Sequence, residues 1–189
     1  IGNPHFLRAT QGQLSIFSLE AGDLHQTVAY LRPMLAEARL VGDADDMGQA
    51  QLGLAQVAYE WNQLTEAQSA ATAALDAIQR TDDEALLTMA ELLLARSQAA
   101  QGDTEQARQQ LAYALAPLQP YRSSRHFYVH REIRMAQARL DLATGDLAAV
   151  QRWWTTLTQE EPTLPLYADR EEILRGRLLL AQGQPDAAV

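Results

Sequence analysis

A short turn motif recurs five times along the chain at a nearly constant interval. The turns are Gly22-Asp23, Asn62-Gln63, Gly102-Asp103, Gly145-Asp146 and Gly183-Gln184. Their first residues are 40, 40, 43 and 38 positions apart. A fixed interval of this length is typical of solenoids, in which each repeat is one supersecondary unit that buries its apolar face against its neighbours. The interval therefore constrains the fold more than any single residue does.

Small residues flank each turn at fixed distances. Seven positions before the turn are Ser15, Ala55, Ala95, Ala138 and Gly176. Five positions after it are Thr27, Ala67, Ala107, Val150 and Ala188. Two antiparallel helices approach closely only where their side chains are small, so these positions predict the crossing point of a helix hairpin. Three positions before the turn are Leu19, Tyr59, Ala99, Leu142 and Leu180, which we expect to fill the flank of each hairpin.

The residue types between the turns favour helices throughout. Ala, Leu, Gln, Arg and Glu dominate, and continuous β-branched stretches are missing. We predict helix pairs at about 5–21 and 23–40, 46–61 and 63–80, 83–101 and 103–119, 124–144 and 146–158, and 167–182 with 184 onward. The predicted fold is all-α, a right-handed superhelix (an α-solenoid) of about five helix-turn-helix repeats. We expect residues 1–189 to form a single domain.

Acidic residues lie where such helices would begin. Asp23, Asp103 and Asp146 follow a turn glycine and can accept hydrogen bonds from the free N–H groups of the next helix. The acidic segments 43–46 and 81–84 resemble metal loops, but they do not meet the spacing of a calcium loop. We therefore interpret both segments as helix starts.

Composition and charge exclude several functions. The net charge is −9 and the pI about 4.8, so the chain should repel a nucleic-acid backbone. Cysteine and lysine are absent, which excludes thiolate chemistry, a phosphate-loop lysine and a Schiff-base lysine. No nucleophile turn is present and no apolar run approaches a membrane span. We predict a non-catalytic chain in the cytoplasm, without membrane or direct nucleic-acid contacts.

The densest polar and aromatic segment covers residues 121–131. His126 and His130 lie one helical turn apart, but Phe127 stands where a zinc protease motif needs Glu, so we predict no metal site. Arginines and tyrosines here could hold a sugar, carboxylate or phosphate through forked hydrogen bonds and ring stacking. The alternative is that the segment fills the joint around Pro120.

If a ligand site exists, we place it on the concave side, which the first helices of such repeats line. The candidate residues are Arg125, Tyr128, Arg131 and Arg134, followed by Tyr59, Trp61 and Tyr113. Charge reversal at Arg125 and Arg131 is expected to abolish ligand binding and leave the helix content unchanged.

The tryptophans are interpreted first as packing residues. Trp154 lies nine positions after its turn, as Leu31 and Leu111 do, and is predicted to be buried. Trp153 points about 100 degrees away on a helix and is the candidate for a surface contact. Trp61 adjoins a turn and is expected between two hairpins.

Two C-terminal segments carry a family resemblance. Residues 164–188 include LRGRLLLAQGQPDAA, and residues 138–153 read ARLDLATGDLAAVQRW. They resemble the runs ARLLLAQGRPDEAL and ARLLLAQGDLEAALRW of the MalT-like tetratricopeptide region of large ATP-dependent LuxR-family transcription regulators. Gly176 and Val150 depart from the usual Ala. The resemblance is clearest over residues 125–189 and looser before them.

The resemblance implies a sensor region between an N-terminal ATPase domain and a C-terminal helix-turn-helix domain. ATP would bind in that separate domain, and this chain would carry no cofactor. Its implied partners are a small-molecule inducer or a regulatory protein, together with other domains of the same chain; self-association is left open. The alternative is a stand-alone TPR adaptor that binds a peptide or a partner protein.

Overall fold

Helices form every regular element that the structure describes. The computed structural model describes the backbone of residues 4–81, 83–115, 124–160 and 165–187, and their side chains except those of 115, 124–128, 159–160 and 165–167. The helices are α1 (Pro4–Glu20), α2 (Leu24–Val41), α3 (Ala44–Glu60), α4 (Leu64–Ile78), α5 (Glu84–Gln101), α6 (Thr104–Leu115), α7 (Ser124–Ala143), α8 (Leu147–Glu160) and α9 (Pro165–Ala181), followed by a 3₁₀ turn at Pro185–Ala187. The predicted all-α helical-repeat fold is confirmed.

The repeated turns share one backbone geometry. Each turn glycine has a positive φ, and Asn62, with φ 58°, takes the same role in the second turn. The next N–H donates to a carbonyl five residues back, from Asp23 to Ser18 and from Gln63 to Ala58, at 2.8 Å in both cases. This bond closes the helix end on a left-handed residue, a conformation that Gly and then Asn adopt at least cost. The five-fold motif is therefore a backbone requirement.

Aspartates cap the helices as the sequence predicts. Asp23 accepts from the N–H of Gln26 at 2.9 Å, and Asp146 accepts from the N–H of Ala149 at 3.0 Å. The two acidic segments are also helix starts, because Asp43 caps α3 and Asp83 caps α5.

Hairpins cross at the small residues. Before the turns, Ser15, Ala55, Ala95 and Ala138 are buried; after them, Thr27, Ala67, Ala107 and Val150 are buried. The flanking position is half-buried in the first four repeats. In the fifth, Leu180 is 58% exposed, and the expected flank filling stays a prediction there.

The chain separates into two compact units, residues 1–129 and 130–189. Among the described residues of the first unit, three apolar clusters lie between successive helices, centred on Leu31 and Met34, on Ala71 and Leu93, and on Ile78. In the described part of the second unit, an apolar cluster joins α7, α8 and α9. The expectation of a single domain stays a prediction.

The two adjacent tryptophans reverse their predicted roles. Trp153 is buried, at 9% exposure, and belongs to the core of the second unit, whereas Trp154 is half-buried at its edge. On α6 the buried stripe runs through Ala107, Leu111 and Ala114. On α8 it runs through Val150, Trp153 and Leu157. The stripe thus includes the position nine after the turn on α6 and the position eight after the turn on α8, and the facing helix decides which of the two side chains enters the core.

Candidate functional site

The first helices of the first unit pack side by side. α1 contacts α3, and α3 contacts α5, while each also packs against its own second helix. Their approach is close: a Cβ on Gly12 would lie 3.1 Å from Oε1 of Gln49. We call the surface formed by α1, α3 and α5 the first-helix wall.

An arginine spans two helices of this wall. Arg96 on α5 places Cζ 4.5 Å from the centroid of the Tyr59 ring on α3. Its Nη1 donates to Oε1 of Gln56 at 3.5 Å, and its Nη2 lies 3.9 Å from Oε1 of Glu60. The Arg96 side chain is 19% exposed. Stacking on the ring positions the guanidinium, but both polar contacts are long for charge-assisted bonds.

Several polar atoms on these helices are buried with no hydrogen-bond partner among the described residues. They are Oε1 of Gln11, Oε2 of Glu91, Nε of Arg96 and Oε1 of Gln98. Burial also raises the pKa of the Glu91 carboxyl above its ordinary value. Buried polar groups are nearly always paired in folded proteins, so these atoms represent hydrogen-bonding capacity that the described part of the chain does not use.

Three of the predicted site residues lie on or next to α3 and α6. Tyr59 lies on the wall beneath Arg96. Trp61 ends α3 and is 37% exposed, with its ring centroid 5.2 Å from that of His25 on α2; this contact agrees with a position between hairpins. Tyr113 lies on the second helix α6 and is 68% exposed. It is therefore off the first-helix wall, and its role in ligand binding stays a prediction.

The arginine segment of α7 is arranged differently from the prediction. Arg131 is buried, and its Nε and Nη2 donate to Oε1 and Oε2 of Glu171 on α9 at 2.5 and 2.7 Å. This fork joins two helices, so the structure does not support Arg131 as a ligand residue. Charge reversal there would bury two carboxylates together, which contradicts the expectation of unchanged helix content. Arg134 is half-buried on the same helix, and the side chains of Arg125 and Tyr128 lie outside those described.

Sequence reasoning missed Arg96. Six positions before the turn, Arg96 shares its place in the repeat with Gln56, Arg139 and Arg177. The Gln56 contact shows that this position meets its counterpart on the next first helix. The sequence signal for Arg96 is the recurrence of a polar residue six positions before the turn in four of the five repeats.

Within the described part of the chain, no group of three or more His, Cys, Asp or Glu side chains could hold a metal ion. No described helix is both long and apolar enough to cross a bilayer.

Comparison with known proteins identifies the family. The family model described as the MalT-like TPR region matches residues 1–189, the full length of the chain. Neither a curated protein nor a solved structure matches. The chain belongs to the MalT-like TPR region family.

Proposed function

We propose that this chain is the sensing and protein-interaction part of a LuxR-family transcription regulator, and that it binds an inducer or a regulatory partner on the first-helix wall. The family match over the full chain supports a sensor or interaction role. Gene regulation would require an ATP-binding domain and a DNA-binding domain beyond this sequence. This chain itself is proposed to be non-catalytic.

The observation that carries the site is the loose attachment of Arg96. Arg131, a packing arginine, holds its carboxylate at 2.5 and 2.7 Å. The Arg96 contacts measure 3.5 and 3.9 Å, and its Nε has no acceptor among the described residues. A guanidinium has five N–H donors, four of them on its two Nη atoms. The Nη groups of Arg96 therefore retain donors for a ligand, while the Tyr59 ring positions the guanidinium.

The alternative is a TPR adaptor that binds a peptide or partner protein on the same wall. The same polar atoms would serve a protein ligand, since main-chain carbonyls and acidic side chains also accept from arginine. Adjoining coding sequence discriminates between the two: a nucleotide-binding loop upstream and a helix-turn-helix downstream support the regulator.

A thermal-shift screen tests the proposal. The 189-residue chain is heated with oligosaccharides, organic acids, amino acids and nucleotides. A ligand at 100-fold over its Kd stabilises a protein by about 2.7 kcal/mol, which raises the unfolding midpoint of a chain of this size by roughly 5–10 °C. One chemical class is expected to produce such a rise.

Two variants locate the effect. Arg96→Leu should abolish the rise, whereas Arg32→Leu, an exposed arginine on the second helix α2, should preserve it. A rise that survives Arg96→Leu would exclude the wall site. If no chemical class shifts the unfolding midpoint, the proposal of a small-molecule ligand fails. A role in binding a peptide or a partner protein is then favoured.

A further inference from the structure

An open cavity of about 540 Å³ lies against α8 and α9 in the second unit. Its lining residues are Gln151, Trp154, Arg175, Leu178, Leu179, Gln182 and Gln184. The volume falls within the range of small-molecule sites, roughly 300–1,000 Å³. The lining combines one aromatic ring, an aliphatic floor, one cation and three amides.

The aromatic side of the cavity is held in place from two directions. The Trp154 ring centroid lies 6.0 Å from that of Trp153, which is packed in the core, and the rings are tilted by 54°. Arg175 places Cζ 5.3 Å from the centroid of the Trp154 ring. Leu178, 1% exposed, forms a floor continuous with the core. The ring is therefore positioned before any ligand arrives.

The polar rim is loosely bonded. Nε2 of Gln182 donates to Oε1 of Gln151 at 3.4 Å. At the same two repeat positions in the first unit, Nε2 of Gln68 donates to Oε1 of Gln101 at 2.8 Å. The amides beside the cavity can thus exchange their mutual bond for bonds to a ligand with little loss.

The cation of the rim is only partly neutralised. Arg175 pairs with Glu172 at 3.2 Å, and the two side chains are 44% and 58% exposed. An exposed pair of this kind contributes little, so a better-placed carboxylate can replace Glu172.

We propose that this cavity binds a small molecule with a carboxylate and a flat apolar body. The carboxylate accepts from the guanidinium of Arg175, and the flat body lies against Trp154 and the leucines. The amides of Gln151 and Gln182 bind polar substituents. This site goes beyond the proposed function and shares no residue with the first-helix wall, so either can fail alone.

Phenylacetate is the probe, and phenylacetamide is its neutral counterpart of similar shape. The 189-residue chain is titrated with each, and tryptophan emission is recorded with selective excitation. Phenylacetate should change the emission saturably. Phenylacetamide should bind about tenfold more weakly or worse, because it loses a hydrogen bond between charged groups. Trp154→Phe should remove the emission change, and Trp61→Phe should retain it.

Variants of α9 sharpen the assignment. Arg175→Leu should reduce the affinity for phenylacetate to that for phenylacetamide. The matched control is Arg177→Leu, an exposed arginine of the same helix that does not line the cavity. Glu172→Gln should tighten phenylacetate binding about two- to fivefold, because it removes a competing carboxylate.

Three results would overturn the proposal: no saturable change with phenylacetate into the millimolar range, equal affinity for the acid and the amide, or equal loss in Arg175→Leu and Arg177→Leu. The comparison of acid with amide uses the unmodified chain, so it decides the question even if a variant fails to fold.

Discussion

Two buried arginines occupy the same position of the repeat in the two units, fourteen residues before the turn. In the first unit, Arg8 donates from Nε to Oδ2 of Asp46 at 2.6 Å and from Nη2 to Oδ2 of Asp43 at 2.9 Å. In the second, Arg131 forks onto Glu171. Each joins one first helix to the next, but the chemistry of the two clamps differs.

Arg8 binds two carboxylates, those of Asp43 and Asp46, at the start of α3. The side chains of Asp43 and Asp46 are 24% and 16% exposed, against 5% for Glu171. The hydrogen bond that Arg8 donates to Asp46 raises the pKa of the guanidinium, and its bond to Asp43 raises it further. Burial acts to lower this pKa, but the pKa remains above its ordinary value. For Asp43, burial acts to raise the pKa, but the Asp46 N–H and Arg8 together lower it. The Arg8 contacts are divided between two partly exposed carboxylates, and we call them the divided clamp; the Arg131–Glu171 pair is buried, and we call it the sealed clamp.

The repeats between the clamps have no charge at this position. Gly48 lies there in the second repeat, where the side chain of Ile78 fills the space beside it, and Thr88 lies there in the third, fully buried. Contact between first helices therefore does not require an ion pair. Once a buried ion pair is present, however, removing one partner is costly. The predictions below compare helix contacts that contain such a pair with contacts that do not.

The largest effect is expected in the sealed clamp. Arg131→Met leaves Glu171 buried without its fork and should lower the free energy of unfolding by about 3–5 kcal/mol. The double variant Arg131→Met with Glu171→Leu should recover much of that loss, since apolar residues can replace a buried pair. Denaturant unfolding of the two variants measures the difference. If the double variant is no more stable than the single one, the fork is not what makes the single change costly.

A methyl group at the uncharged position should have the next largest effect. Gly48→Ala forces Ile78 to move, because a Cβ there would overlap Cγ1 of that side chain, and overpacking costs about 1–3 kcal/mol. Gly12→Ala is the matched control, because its Cβ would meet the flexible end of Gln49 at 3.1 Å. Thermal unfolding should show a clear loss for Gly48→Ala and little change for Gly12→Ala. If the two variants lose equal stability, the overlap with Ile78 is not what makes Gly48→Ala costly.

A smaller effect is expected in the divided clamp. Asp46→Asn leaves Arg8 its bond to Asp43, so the unfolding midpoint should fall less than in Gly48→Ala. High salt should narrow the gap from the unmodified chain, since partly exposed charges are screened. If the unfolding midpoint of Asp46→Asn is as low as that of Arg131→Met, the bond to Asp43 does not hold Arg8 without Asp46.

The smallest effect should come from Glu91, a half-buried carboxyl for which no arginine clamp is described. Because the pKa of Glu91 is raised in the folded chain, the folded state binds its proton more tightly than the unfolded state. Its penalty is therefore fully present above the raised pKa and is lost as the pH falls toward the ordinary value of 4.5. Glu91→Gln should be more stable than the unmodified chain at neutral pH, and the advantage should shrink on acidification. Denaturant midpoints across pH measure this. A constant advantage would exclude titration of Glu91 as its source.

The sequence was sufficient wherever a local rule repeats. The turns, the aspartate caps and the small crossing residues were all predicted, because a left-handed helix end, a free helix N–H and a close helix crossing each demand a particular residue type. Those requirements act within one hairpin. Because each residue type recurs at the same position of the repeat, its recurrence indicates its role. The family match over residues 1–189 agrees with that pattern.

The tertiary structure decided which side chain takes each place on a helix face. Nothing local distinguishes Trp153 from Trp154, or a ligand-binding arginine from Arg131, whose partner Glu171 is forty residues away. The loosely bonded Arg96 and the cavity beside Trp154 likewise depend on what the next helix presents. The hairpins follow from sequence periodicity because backbone geometry is local. Burial and pairing follow only from the fold, because they depend on residues that packing brings together.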